Sequence, residues 1–95
     1  MSISIMKIKS GYVIRKIAGQ TMAIPVGSRV KDLHGMIALN ETGAFLWERL
    51  CKEQTIESLV QALVENYEVT KEQAEISVNN YIHMLVRENL LEQEE

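Results

Sequence analysis

A thiolate, an imidazole or a cluster of both underlies much of protein chemistry, which makes cysteine and histidine the first candidates for a reactive site. The chain holds one cysteine, Cys51, and two histidines, His34 and His83. A lone cysteine closes no internal disulfide, and its place on an apolar helical face reads as a buried structural thiol. The histidines stand far apart in sequence with no cysteine near either, so zinc spacing is missing and no metal is expected. There is no Gly-x-Ser-x-Gly, no Gly-rich phosphate loop and no His-Glu-x-x-His. The carboxylates are spread over polar helix faces rather than converging on a pocket. No catalytic residue and no cofactor is expected, and an independent enzyme is disfavoured.

Charge is the next source of function, and it is unevenly placed. Residues 1–38 carry Lys7, Lys9, Arg15, Lys16, Arg29 and Lys31 against Asp32 alone, a balance of +5. Residues 39–95 carry Arg49, Lys52, Lys71 and Arg87 against twelve acidic residues, a balance of −8. The two halves either attract each other and solvate their surfaces, or present a basic face that steers an acidic partner segment.

The elements that must position any site follow from periodicity. At 95 residues, 46% hydrophobic and 24% charged, the chain has the composition of one soluble globular domain. It shows neither a signal peptide nor a membrane span, so a cytoplasmic location without a membrane partner is expected. Residues 1–10 read as a loose lead-in, 11–92 as the domain and 93–95 as an acidic tail. Residues 12–17 and 21–26 form a hairpin around Ala18-Gly19-Gln20, with Pro25 near a strand end or on an edge. A polar loop over 27–34 leads to a third strand over 35–39.

Asn40 then caps a first helix over about 41–52, whose inner face is Gly43, Leu46, Trp47, Leu50 and Cys51; Phe45 points almost the other way. Thr55 caps a second helix, with Ile56, Leu59, Val60, Leu63, Val64 and Tyr67 at helical spacing. Thr70 and Gln73 make a capping box for a third, with Val69 stapled to Ala74 and a core face of Ala74, Val78, Tyr81, Ile82 and Leu85. Three antiparallel strands followed by three helices describe an α+β domain close to a winged helix-turn-helix.

Such an architecture suggests DNA, but the charge has the wrong sign. Between residues 55 and 91 only Lys71 and Arg87 are basic, against Glu57, Glu65, Glu68, Glu72, Glu75 and Glu88. Helices that acidic are repelled by phosphates, and no nucleic acid is expected as a partner. A peptide is the better fit, because a small sheet has edges to which an extended segment can add as a strand.

Leu39-Asn40-Glu41-Thr42-Gly43, followed by Trp47, resembles the Leu-Asn-x-Thr-Gly-x-x-x-Trp signature of the PqqD family. That family comprises small proteins of pyrroloquinoline quinone biosynthesis; the same domain is the precursor-recognition element of many ribosomal peptide-modifying systems. Tyr67-Glu68-Val69 and the closing Leu90-Leu91 resemble its later landmarks, and the likeness spans about 11–92.

The resemblance implies a non-catalytic protein that captures a precursor leader and presents it to a modifying enzyme, often a radical S-adenosylmethionine maturase. It implies a leader laid against the third strand, here Gly35, Met36, Ile37, Ala38 and Leu39, in a groove walled by the third helix. Two flanks of that helix are available. Glu75, Asn79, Ile82 and Val86 form one, preferred for its apolar area; Ser77, Met84 and Glu88 form the other. Asn40, Gly43 and Trp47 are expected to be structural: a cap, a clearance and a core anchor. A winged-helix DNA-binding regulator, or an accessory subunit of a larger enzyme without a peptide role, are the competing readings.

Overall fold

The computed structural model describes residues 5–27 and 35–94. Residues 1–4, most of the polar connection (28–34, with Arg29, Lys31, Asp32 and His34) and Glu95 lie outside the described residues. Tyr12–Ile17 (β2) and Gln20–Pro25 (β3) form the hairpin. Its two-residue turn places Ala18 at φ 53° and Gly19 at φ 80°. Both angles are the left-handed values that match the twist of the flanking strands. Pro25 is the last residue of β3, where a missing amide donor does least harm. Ile37–Leu39 (β4) pairs antiparallel with β3, giving a three-stranded sheet in the order β2-β3-β4. The expected third strand is thus two residues shorter; Gly35 and Met36 lead into it exposed.

Three helices follow: Glu41–Arg49 (α1), Ile56–Asn66 (α2) and Lys71–Arg87 (α3). Their starts follow from local chemistry. Thr55 accepts from the Ser58 amide while the Ser58 hydroxyl accepts from the Thr55 amide, and Thr70 and Gln73 exchange the same pair of bonds. The fold is α+β, three antiparallel strands then three helices, as the sequence predicts.

Two departures have clear causes. The α1 helix stops at Arg49 and tightens, with the Cys51 amide bonding the Glu48 carbonyl and the Lys52 amide that of Arg49. The three-residue spacing turns Cys51 off the apolar face, so it is exposed rather than a buried thiol. The second departure concerns the chain ends. Ile5–Ile8 (β1) is not a loose lead-in: it pairs antiparallel with Leu91–Glu94 (β5), which takes up most of the expected acidic tail. The other edge of β1 bonds the α1–α2 link, through Met6 to Gln54 and Ile8 to Leu50.

The core lies between these layers. Ala23 and Leu39 from the sheet, Leu46 and Trp47 from α1, Leu59 and Leu63 from α2, and Val78 and Leu85 from α3 are buried together, joined by Met6, Ile8, Leu50, Leu90 and Leu91. Trp47 is 1% exposed and meets Tyr12 edge-to-face at 5.7 Å between ring centres. Phe45 is half-buried against Tyr67, with the Arg49 guanidinium 5.1 Å above its ring, so it ties α1 to the start of the α2–α3 turn.

Candidate peptide-binding site

The strand-to-helix joint builds the site. Asn40 sits in extended conformation after β4, and its side-chain oxygen accepts from the Gly43 amide at 2.7 Å. The Thr42 hydroxyl donates to the same oxygen at 3.3 Å, fixing its direction. Gly43 is buried one turn into α1, where a Cβ would meet that oxygen at 2.9 Å and the Tyr81 ring at 3.4 Å. The Tyr81 hydroxyl donates to the Gly43 carbonyl at 2.8 Å, locking α3 against the start of α1. Burial pushes the Tyr81 phenol well above its usual pKa, which keeps it a donor across the neutral range.

Beside this lock runs a cavity of about 430 Å³ between β4 and α3. Ala38 and Leu39 line it from the strand, Thr42 and Leu46 from α1, and Ser77, Asn80, Tyr81 and Met84 from α3. None of its lining residues is charged. β4 is bonded to β3 along one edge and has no second strand partner among the described residues.

Not all the residues singled out in the sequence meet here. Ala38 and Leu39 line the cavity, with Asn40 and Gly43 at its end. Ile37 is half-buried against the core, while Trp47 lies wholly within it. On α3 the flank preferred from sequence faces elsewhere. Ile82 is buried in the core, Glu75 lines a separate cavity against α2, and Asn79 and Val86 are exposed without lining this one. Ser77 and Met84, of the other flank, do line it; Glu88 does not. The apolar area that favoured the first flank came largely from Ile82, which the core uses. Asn80 and Tyr81 were overlooked as wall residues. The available signal was the tyrosine itself, a ring with a polar tip at the margin of an apolar face.

The profile of the family described as Coenzyme PQQ synthesis protein D (PqqD) matches residues 26–91. The chain belongs to the PqqD family. The match runs from the end of β3 through α3 to the first residue of β5, and so includes every residue lining the β4–α3 cavity. No curated protein sequence matches the chain. Among solved structures, "TbiB1 in Complex with the TbiA(beta) Leader Peptide" shares the fold, with a TM-score of 0.69 at 21% identity over 90% of this chain and 94% of that one.

Among the described residues no group of three or more His, Cys, Asp or Glu could hold a metal ion. No helix there is long and apolar enough to cross a membrane.

Proposed function

We propose that this PqqD-family chain binds the leader segment of a ribosomally made precursor peptide and presents it to a peptide-modifying enzyme. The carrying observation is the edge of β4 that has no second strand partner among the described residues, beside a cavity with no charged lining residue walled by α3. An extended leader adds to that edge as a strand, main-chain bonds setting its register and alternate side chains turning into the cavity. Leu46 and Met84 offer apolar surface there, while Ser77 and Asn80 supply hydrogen-bonding groups. A neutral, apolar leader side chain fits that lining better than a charged one, which would lose hydration without gaining an ion pair.

Family membership supports this reading, as does a fold shared with a protein solved in complex with a leader peptide. The chain does no chemistry itself and acts in the cytoplasm, where the precursor is made. Its partner is a radical S-adenosylmethionine maturase or another peptide-modifying enzyme.

Titration of the labelled chain with the leader encoded beside it tests the proposal. Saturable heat and shifts concentrated at 36–39 and at Ser77, Asn80 and Met84 are expected. Met84→Glu should weaken binding about tenfold or more, through a desolvated charge. Absent heat, or shifts confined to other faces, would refute the site.

A further inference from the structure

The second cavity has no part in leader binding as described above. It measures about 540 Å³ and lies between α2 and α3, on the flank of α3 opposite the leader groove. Ile56, Val60 and Val64 form its apolar side, successive turns of one α2 stripe. Glu57, Lys71 and Glu75 stand around it. Val64 remains 36% exposed, so the stripe that buries α2 in the core continues past the core's edge into this opening.

The chemistry of the occupant can be read from the walls. Both helices satisfy their backbone groups internally, so nothing can add here as a strand and recognition must come from side chains. An apolar groove between two helices suits the apolar face of a third. Neither Glu57 nor Glu75 has an ion-pair partner among the described residues. Two glutamates thus stand at the groove against one lysine, Lys71. That excess calls for lysine or arginine on the incoming helix and repels the same face of a second copy.

We propose that this groove docks a basic, amphipathic helix of the peptide-modifying enzyme, leaving the β4–α3 groove free for the leader. The inference rests on the peptide-presenting reading and gives it a second face: Lys71 and Glu75 on one flank of α3 serve the enzyme, Ser77 and Met84 on the other serve the peptide. Leader and enzyme can then be held at once, as presentation requires.

The test uses the full chain, the leader and the purified modifying enzyme encoded beside it. Affinities for leader and enzyme are measured separately on wild type, Glu57→Lys/Glu75→Lys and Val64→Gln. All three substitutions are at exposed positions. The charge-reversed variant should lose about tenfold or more of its enzyme affinity, and Val64→Gln about fivefold, with leader affinity unchanged in both. Hydrogen exchange should show the enzyme protecting 56–64 and 71–75. Undiminished enzyme affinity in either variant, or a wild type that binds leader but no enzyme, overturns the groove. A wild type that binds no leader overturns instead the reading on which it rests.

Discussion

Three residues, Asn40, Gly43 and Tyr81, hold the joint together, and each reacts differently to substitution. Alanine normally favours a helix interior over glycine by about 1 kcal/mol, yet Gly43→Ala should destabilise the fold by about 1–2 kcal/mol, through overpacking. The new methyl meets the Asn40 oxygen at 2.9 Å, and that oxygen is already committed to the Gly43 amide. Removing the obstacle reverses the sign. Asn40→Ala alone should cost about 1 kcal/mol, as the loss of a cap. In that background Gly43→Ala should be neutral or stabilising, because only the Tyr81 ring at 3.4 Å remains close. Urea unfolding of the four-member cycle measures this, and additive losses would refute it.

Tyr81→Phe should cost about 1 kcal/mol at neutral pH, the worth of one hydrogen bond. The phenol's pKa is raised above 10.0 in the fold, so its contribution is complete below about pH 10 and falls as pH rises beyond that value. Wild type and Y81F should therefore differ by the same amount at about pH 8 and about pH 9, and converge only as the pH rises above about 10.

At the scale of elements, legibility depended on how local the signal was. The helix starts could be read because a cap and its partner lie three residues apart, as Thr70 and Gln73 do. The hairpin could be read from two strand-forming runs around Ala18-Gly19-Gln20, although Gln20 joins the second strand and leaves a two-residue turn. The β1–β5 pair was missed because its strands are four residues each and stand at opposite ends of the chain. Within β1 only Met6 and Ile8 point inward, flanked by Ile5 and Lys7, too short an alternation to stand out. The turn after α3 was legible in principle. Asn89 takes φ 60°, its amide bonds Val86, and the next amide, of Leu90, reaches back to Leu85. An asparagine after a helix is a known marker of that turn, which sends the chain into β5. Met6, 1% exposed and bonded through its backbone to Gln54, joins the strand pair to the core. Met6→Ala should cost about 2–5 kcal/mol, whereas Ile5→Ala, at a position 37% exposed, should cost under about 1 kcal/mol. A loss for Met6→Ala as small as that for Ile5→Ala in chemical denaturation would mean that the pair frays and adds nothing to the core.

Across the whole molecule, the strand expected from the sequence borders the β4–α3 cavity, whereas the flank of α3 preferred from the sequence does not line it. The choice of flank depends on where α1 and α2 lie relative to α3, which the periodicity of α3 alone cannot reveal. The charge asymmetry, by contrast, needed no structure, though the structure sorts its members. Arg15 lies on β2 one residue out of phase with Tyr12 and Ile14, which pack against the core, so it belongs to the opposite face. Lys16 shares the inner phase and lines a cavity with Glu41 and Glu48, whose charge offsets its own. If a basic sheet steers an acidic leader, Arg15 carries most of that field. Arg15→Glu should slow association severalfold at low salt, and the difference should vanish near about 0.5 M salt as the Debye length shrinks below 5 Å or so. Lys16→Glu should slow it less. Stopped-flow association across a salt series separates the two, and an unchanged rate for Arg15→Glu at low salt would leave the asymmetry with no part in peptide capture.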